Sequence, residues 1–406
     1  MASPSSGFDK SRLARIAPAM QAYVDRGVYA GVSVLVAGAG EIAYAGEWGF
    51  RDKETKAPMT ADTIFRHYSM TKPVVATALM TLVEEGRLRL YDPVAKFIPA
   101  FGKVKVLGAD GALIAATRPI FVRDLLAHTS GLSYGFLDDS PVSRDYARGK
   151  LVDARVRLDE AIEDLATFPL AFQPGERFHY SVGVDVAARL IEVVSGQTLG
   201  AYLRGRLFAP LKMPDTDFVV PAEKRARVAA MYGRPDIIAS GVTFGKALEM
   251  WRAGVNERID VSRSYPVDAP GLFERGGHGL FGTIGDYFRF AQMLCNGGAL
   301  DGVRVIGRKT LELMHSNHLS PSQMPIEIGG LPLPGYGFGL GSRVLMDVAA
   351  SGAPGSVGEF GWSGAAKTHY WVDPREQIVA LFMTQSMTSF DLPEVDLRAL
   401  VYQALV

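Results

Sequence analysis

The N-terminal part of the chain changes from a helical to a strand pattern of hydrophobic positions. Residues 10–26 place apolar side chains at every third or fourth position, which predicts an amphipathic helix. Residues 31–37 and 42–48 are then rich in β-branched and aromatic residues, and Gly38-Ala39-Gly40-Glu41 separates them. Apolar strands joined by a short glycine-containing segment are typical of a hairpin. This region is therefore predicted to be a helix followed by an antiparallel hairpin.

A longer apolar run, residues 74–83, predicts a buried helix, and Pro73 indicates where that helix begins. Proline has no N–H, and its ring collides with the carbonyl group four residues earlier, which here belongs to Ser69. A regular helix therefore cannot begin much before Ser69. Because free N–H groups and the positive end of the dipole collect at a helix start, Ser69 is well placed to form a stabilised oxyanion.

The middle of the chain, residues 100–270, has helical periodicity that Pro and Gly residues interrupt, with no clear strand alternation. Its predicted helices cover residues 123–127, 156–167 and 184–195, the last of them ended by Gly196. A helical insertion is the simplest interpretation of this segment.

Strand patterns return towards the C-terminus. Thr283-Ile284-Gly285-Asp286 resembles a capping box and predicts a helix that continues to Cys295. Three strands and a final helix are predicted at residues 337–344, 368–372, 377–384 and 391–405.

Together these elements predict an α+β fold. An antiparallel sheet is built from both chain ends and flanked by helices, with an inserted mostly helical domain. The predicted boundaries are residues 1–100 and 270–406 for the discontinuous domain that holds the sheet, and residues 101–269 for the helical domain. We expect the active site between the two domains.

The composition is that of an ordinary soluble globular protein, with 48% hydrophobic and 21% charged residues among 406. The 43 basic and 43 acidic residues cancel, so no net charge favours nucleic acid or an anionic membrane. Cys295 is the only cysteine, and the seven histidines show no metal-binding spacing, so no disulfide, metal or other cofactor is expected. Because the chain lacks an apolar signal segment and any apolar run of about 18 residues, a cytoplasmic location without a membrane partner is predicted. The sequence contains no signal for any particular oligomeric state.

The first chemical signal is Ser69-Met70-Thr71-Lys72, the only Ser-x-x-Lys in the chain. Residues three apart on a helix share one face, so the Ser69 hydroxyl and the Lys72 amine can meet. A hydroxyl is a weak nucleophile until a neighbouring base takes its proton, and a buried lysine can be that base. The same residues could also be a helix cap and a surface lysine, so the motif needs support from the rest of the sequence.

Two later segments offer that support. Tyr180-Ser181-Val182 follows a Pro-Gly turn and precedes the helix at residues 184–195, so Tyr180 is expected on a loop, where a phenol can donate and accept protons. Gly361-Trp362-Ser363-Gly364-Ala365 precedes the predicted strand at residues 368–372, and its small residues would let a substrate approach a strand edge. Taken alone, the Tyr180 segment favours a core tyrosine that caps the helix, and residues 361–365 are also compatible with a plain turn or bulge with Trp362 in the core.

The order of the three segments resembles that of the serine β-lactamase and penicillin-binding protein superfamily. Connecting segments resemble that family too: Leu125–Leu132 (LLAHTSGL), Phe172–Ser181 (FQPGERFHYS) and Gly276–Leu280 (GGHGL). The resemblance covers roughly residues 10–405. It implies a β-lactamase/DD-peptidase-like fold and acyl transfer through a serine.

Two departures from the family pattern indicate which branch of the superfamily the chain resembles. Val182 stands where a class C β-lactamase has the Asn of Tyr-x-Asn, and Trp362-Ser363-Gly364 stands where it has Lys-Thr-Gly. The missing lysine removes a cation that would hold the carboxylate of a β-lactam or a peptide, and an apolar Trp suits a neutral ester better. The pattern is most similar to the family VIII carboxylesterases.

By that resemblance the chain is a serine carboxylesterase acting on a small-molecule ester. Ser69 would attack the ester carbonyl, and Lys72 with Tyr180 would act as general base and acid. The N–H groups of Ser69 and Ala365 would form the oxyanion hole. Trp362, Ser363 and Gly364 would contact the substrate.

A rival nucleophile is Ser133, within a Gly-x-Ser-x-Gly segment at residues 131–135. In an α/β-hydrolase such a serine lies between a strand and a helix, whereas residues 121–128 are helical in pattern and residues 136–141 do not resemble a helix start. We therefore favour Ser69, and expect Tyr134 and Phe136 to line the substrate pocket.

Other functions remain open at this point. The same fold could carry β-lactamase or D-alanyl-peptidase activity, or an acyltransferase could use an acceptor other than water. A non-catalytic binding module is also compatible with the fold, because a fold does not determine a function. The presence of Ser69, Lys72 and Tyr180 together argues against the last alternative.

Overall fold

The computed structural model describes residues 7–252, 256–387 and 393–406. Its helices are α1 Lys10–Leu13, α2 Ile16–Asp25, α3 Thr71–Glu84, α4 Val122–Leu126, α5 Pro141–Tyr146, α6 Leu158–Leu165, α7 Gly183–Ser195, α8 Leu199–Leu203, α9 Phe244–Arg252, α10 Ile284–Cys295, α11 Arg308–Met314, α12 Val348–Ser351 and α13 Pro393–Tyr402.

Eight strands form the main sheet and eleven short ones form smaller pairings. In chain order the strands are β1 Gly31–Gly38, β2 Glu41–Asp52, β3 Ala57–Pro58, β4 Phe65–Arg66, β5 Lys105–Leu107, β6 Leu113–Ala115, β7 Met231–Gly233, β8 Arg258–Ile259, β9 Phe281–Gly282, β10 Ala299–Leu300, β11 Val303–Arg304, β12 Ile326–Ile328, β13 Leu331–Leu333, β14 Tyr336–Phe338, β15 Arg343–Leu345, β16 Phe360–Gly364, β17 Thr368–Asp373, β18 Ile378–Met383 and β19 Ser386–Met387.

The main sheet has the strand order β14-β15-β16-β17-β18-β1-β2-β3 and joins both ends of the chain. The N-terminal hairpin pairs with the C-terminal strands through β1 and β18, in antiparallel register with Val34 opposite Phe382. All eight residues of β1 and all six of β18 are buried, because helices cover both faces of the sheet centre. The predicted antiparallel sheet from both chain ends is present.

Two hydrophobic layers lie on opposite sides of this sheet. Trp371 belongs to the layer that contains residues of α1, α2 and α13, whereas its strand neighbour Tyr370 belongs to the layer that contains residues of α3, α7 and α10. This alternation follows from the two-residue period of a strand. Helix α3 is the centre of the second layer, and its residues Thr71 to Leu82 are all buried.

Several predicted elements differ from the observed ones. The single helix predicted at residues 10–26 is two helices, because the ring of Pro18 is incompatible with a continuous helix at the carbonyl of Ala14. The strand predicted at 337–344 is two strands, β14 and β15. Gly341, with φ of 95°, allows the chain to reverse between them.

The middle segment contains strands that the sequence analysis did not predict. The pair β5–β6 is a short hairpin, and β7 pairs in parallel with β19 from the C-terminal part of the chain. Each strand has only two or three residues, so none carries a recognisable period. The predicted division into two domains stays a prediction.

The remaining helix predictions agree closely with the structure. Helix α7 ends at Ser195, and Gly196 follows it with φ of 76°, as the predicted terminating glycine requires. Helix α10 is capped by the Thr283 hydroxyl, which accepts a hydrogen bond from the N–H of Asp286. The final helix is α13, and residues 391 and 392 of the prediction lie outside the described residues.

Candidate active site

The start of α3 is a tight turn that presents Ser69. Residues 68–70 form a single 3₁₀ turn, and α3 continues from Thr71, so Ser69 lies in the turn that opens the helix, as the position of Pro73 predicted. Tyr68 has φ of 46°, a left-handed conformation that costs a non-glycine residue about 1–3 kcal/mol. Its fully buried ring packs 4.8 Å from that of Tyr265, which holds this conformation in place.

Lys72 lies below Ser69 and is completely buried. Its Nζ is 3.2 Å from the Oγ of Ser69 and 2.8 Å from the carbonyl oxygen of Gly277, to which it donates a hydrogen bond. The two residues of the Ser-x-x-Lys motif therefore meet, as the spacing of three predicted. The contact puts a nitrogen within reach of the hydroxyl proton.

Tyr180 lies on the loop before α7, and its ring closes the other side of Lys72. The centre of the Tyr180 ring is 4.6 Å from Lys72 Nζ, and that of Tyr134 is 5.1 Å away. The indole N–H of Trp362 donates a long hydrogen bond of 3.4 Å to the Tyr180 hydroxyl. Two aromatic faces thus pack against the Lys72 side chain.

One cavity of about 240 Å³ brings the predicted residues together. It is lined by Ser69, Tyr134, Phe136, Tyr180, Trp362, Ser363, Gly364 and Ala365, and Lys72 lies beneath it. Its other walls are mainly apolar, formed by Ile237, Ile238, Phe244, Trp251, Ile328 and Leu333. The segment 361–364 is part of β16 and pairs with β17 along its length, whereas only Gly361 in it pairs with β15. A carbonyl compound can enter an apolar cleft that ends at a serine and a lysine.

A family model described as Beta-lactamase matches residues 16–404. The chain belongs to this family. Esterase EstB of Burkholderia gladioli is 33% identical over 359 residues, which cover 88% of this chain and 86% of that protein. EstCE1, described as a hydrolase with promiscuous acyltransferase activity, superposes with a TM-score of 0.80 at 26% identity, covering 97% of this chain and 99% of that one.

A solved family VIII carboxylesterase superposes with a TM-score of 0.71 at 22% identity, covering 97% of this chain and 98% of that one. This likeness concerns the fold. The predicted β-lactamase-like α+β fold and the predicted family relationship are therefore confirmed.

Within this Beta-lactamase family fold, Ser133 does not line the cavity that contains Ser69. Its Oγ is 2.9 Å from His179 Nε2 and 3.2 Å from Ser143 Oγ, and only 1% of the residue is exposed. Helix α4, rather than a strand, precedes it, so the strand-to-helix turn of an α/β-hydrolase is not present there. The structure gives Ser133 polar partners but no place in the cavity lining.

Sequence analysis missed the role of Gly277, which accepts the second hydrogen bond of Lys72. Its N–H donates to a carboxylate oxygen of the fully buried Asp185 at 2.9 Å. A Cβ atom on Gly277 would lie 2.3 Å from the other Asp185 oxygen and 2.7 Å from the Tyr134 hydroxyl. Burial raises the pKa of Asp185, while its hydrogen bond to Gly277 and the charge of Lys72 oppose that shift. No short motif signals this contact, since it joins three separate segments.

Arg343 and His369 also line the cavity without having been singled out in the sequence, as does His278 of the GGHGL segment, to which no role was assigned. Burial is the main cause that lowers the pKa of His278 to about 3, so the ring is neutral at ordinary pH. Burial, assisted by Arg343, likewise lowers the pKa of His369 well below its usual value. The two imidazoles in the cavity lining are therefore neutral at ordinary pH.

Among the described residues, no group of three or more His, Cys, Asp or Glu side chains is arranged to hold a metal ion. In that same part of the chain, no helix is both long and apolar enough to cross a bilayer.

Proposed function

We propose that this protein is a serine carboxylesterase that hydrolyses small to medium carboxylic esters through an acyl-enzyme on Ser69. The observation that carries the proposal is the 3.2 Å contact between Lys72 Nζ and Ser69 Oγ at an apolar cavity. The similarity to esterase EstB and to the hydrolase EstCE1 supports the same reaction class.

Acylation begins when Ser69 Oγ forms a bond to the ester carbonyl carbon and its proton passes to Lys72 or Tyr180. The carbonyl oxygen becomes an oxyanion, which the N–H groups of Ser69 and Ala365 would hold. A single donor of this kind contributes about 3–4 kcal/mol to the transition state. The bond to the alcohol oxygen then breaks, and the alcohol leaves with the proton from the Lys72–Tyr180 pair.

Deacylation reverses these roles. A water molecule attacks the acyl carbon and gives its proton to the same pair, and the bond to Ser69 Oγ breaks. Ser69 regains a proton and the carboxylic acid leaves. The side chains of this chain supply every proton transfer, so the mechanism uses no cofactor.

The test is the hydrolysis of p-nitrophenyl acetate and butyrate by the wild type, Ser69→Ala and Ser133→Ala, with a fluorophosphonate probe to label the nucleophile. We expect Ser69→Ala to lose both turnover and labelling, and Ser133→Ala to keep both. Loss of labelling only in Ser133→Ala would refute the assignment of the nucleophile. An inert wild type would favour the non-catalytic binding module.

Acyl transfer to an alcohol is the second candidate, favoured by the promiscuous acyltransferase activity described for EstCE1. Both reactions share the acyl-enzyme and differ only in the acceptor. Adding a short alcohol to the assay separates them, because a transferase forms the new ester in preference to the free acid. A chromogenic cephalosporin in the same series tests the third possibility, β-lactam hydrolysis.

A further inference from the structure

Asp185 is a buried carboxylate close to Ser69 and Lys72 that the mechanism described above does not use. It lies in the first turn of α7 and is 0% exposed. Its Oδ1 accepts the N–H of Gly277 at 2.9 Å, whereas its Oδ2 has no hydrogen-bond partner among the described residues. Because burying an ionised carboxylate is unfavourable, such a position requires positive charge nearby.

Two buried cations provide that charge. Lys72 donates to the carbonyl oxygen of Gly277 at 2.8 Å, so Gly277 contacts the lysine through its C=O and Asp185 through its N–H. Arg275 is also 0% exposed, and its guanidinium donates to four backbone carbonyl oxygens, which are uncharged acceptors. The charges of both cations favour the ionised form of Asp185 and oppose the rise in its pKa that burial causes.

Lys72 needs an opposite charge during the reaction. Its hydrogen-bond partners among the described residues are the Ser69 hydroxyl and a backbone carbonyl, and neither is charged. The imidazoles of His128 and His278, which the charge of Lys72 also influences, are neutral because burial lowers the pKa of each. When Lys72 takes the proton of Ser69, a positive charge forms on a nitrogen that is shielded from water. A buried charge of this kind is unfavourable unless an opposite charge lies close to it, and Asp185 is the buried carboxylate that one backbone residue joins to Lys72.

We propose that Asp185 is a positioning residue for the acyl transfer: its carboxylate holds Gly277 against Lys72 and balances the ammonium that forms when Lys72 takes the Ser69 proton. The inference rests on the proposed esterase function and adds to it a residue that does not line the cavity. Asp185 neither contacts the ester nor exchanges a proton in this role. It stabilises a charge that exists only after the proton has moved, so it acts on the transition state rather than on substrate binding.

The test removes this charge and keeps the hydrogen-bond acceptor. Asp185→Asn retains an oxygen that can accept the N–H of Gly277, but it is neutral. Asp286→Asn is the matched control, because Asp286 is likewise the third residue of a helix, is only 6% exposed and accepts a backbone N–H, that of Asp215, at 2.8 Å. Burial raises the pKa of both carboxyl groups, and Asp286 does not line the cavity.

The measurement is kcat and KM for p-nitrophenyl butyrate, with the amount of active enzyme counted by fluorophosphonate labelling carried to completion. Asp185→Asn should lower kcat about tenfold or more and change KM by less than about twofold, because the lost interaction belongs to the transition state. Asp286→Asn should keep the kcat of the wild type even where it lowers stability. A folded Asp185→Asn enzyme that keeps the wild-type kcat would overturn the proposal, whatever its loss of stability.

Two further measurements keep the proposal testable if Asp185→Asn does not fold, as judged by circular dichroism. Asp185→Ser places a smaller neutral acceptor at the same position and should show the same loss of kcat. In the wild type, the carboxyl carbon-13 signal of Asp185, assigned by its proximity to the Gly277 amide proton, should be that of an ionised group at the pH of the assay. A protonated Asp185 would refute the charge-balancing role.

The same experiment separates this inference from the proposed function. Ester hydrolysis by the wild type and its loss in Ser69→Ala test the esterase proposal without reference to Asp185. If hydrolysis depends on Ser69 but Asp185→Asn matches the wild type, the positioning role alone fails. If the wild type does not hydrolyse esters, the proposed function fails, and the positioning role that rests on it fails too.

Discussion

Lys72 donates a hydrogen bond to the carbonyl oxygen of Gly277 at 2.8 Å, across a separation of 205 residues. Gly277 has no room for a side chain, since a Cβ atom would lie 2.3 Å from Asp185 Oδ2 and 2.7 Å from the Tyr134 hydroxyl. We predict that Gly277→Ala moves the carbonyl and lowers kcat for p-nitrophenyl butyrate at least tenfold, with a smaller change in KM. Gly285→Ala in helix α10 is the matched control, because its Cβ would have its nearest contact at 3.9 Å. Equal kcat values for the two variants would contradict the positioning role.

The Trp362 indole N–H reaches the Tyr180 hydroxyl at 3.4 Å, and the two ring centres are 5.5 Å apart. Trp362→Phe keeps an aromatic ring there but removes the donor. We expect kcat for neutral esters to fall severalfold, because the phenol loses a hydrogen-bond partner that orients it. The measurement is kcat for p-nitrophenyl butyrate. An unchanged kcat would mean that the indole N–H does not orient Tyr180.

Ser133 is predicted to contribute to stability rather than to chemistry. Ser133→Ala removes a partner of the His179 imidazole at 2.9 Å and should lower the free energy of unfolding by about 1–2 kcal/mol. Urea denaturation measures this loss, and stoichiometric fluorophosphonate labelling shows that the nucleophile is intact. A stable variant that no longer labels would reverse the roles of Ser133 and Ser69.

Buried histidines should make the fold sensitive to mild acid. Burial lowers the pKa of His315 to about 3, whereas an unfolded histidine titrates near 6.5. Between these values the unfolded chain binds the extra proton, so stability is lost as the pH falls below about 6.5, by about 1.4 kcal/mol per unit for each such group. Burial lowers the pKa in the same direction at His67, His128, His278 and His369.

His315→Phe tests this prediction, because a phenyl ring can replace the imidazole that stacks on Phe360. The dependence of the free energy of unfolding on pH, measured between pH 5 and pH 6.5, should become shallower by about one proton. Identical slopes for the variant and the wild type would exclude His315 from the effect. The free energies of unfolding of both proteins at pH 8, where histidine is neutral in the folded and unfolded chains, provide the baseline.

A buried ion pair attaches helix α13 next to the strand that carries Trp362. Arg398 and Glu359 are bonded through both carboxylate oxygens, with side chains only 5% and 1% exposed. Glu359→Gln should lower the free energy of unfolding by about 3–5 kcal/mol, since it leaves a buried cation without its counter-charge. The exposed pair Arg308–Glu312 is the control, and Glu312→Gln should leave the free energy of unfolding almost unchanged, because solvent screens the pair. If thermal denaturation shows a similar loss of stability for Glu359→Gln and Glu312→Gln, burial does not determine how much these ion pairs contribute.

Local rules were sufficient to predict where α3 starts and which two residues meet there. The position of Pro73 limits where the helix can begin, and a spacing of three residues brings Ser69 and Lys72 to one face whatever the rest of the chain does. The hairpin, the helix ended by Gly196 and the cap at Thr283 follow from equally short-range chemistry. The order of the motifs was enough to identify the family.

Only the tertiary structure decided which distant groups complete the site. Gly277, Trp362 and His369 reach their partners through strand register and through loops that meet at the cleft. Tyr180, which accepts the hydrogen bond of Trp362, is 182 residues away in the sequence. Sequence periodicity tells which face of an element is apolar, but it does not encode which two strands become neighbours or how far one slides along the other. For that reason the Ser69–Lys72 pair could be predicted from the sequence, whereas the contact of Lys72 with Gly277 could not.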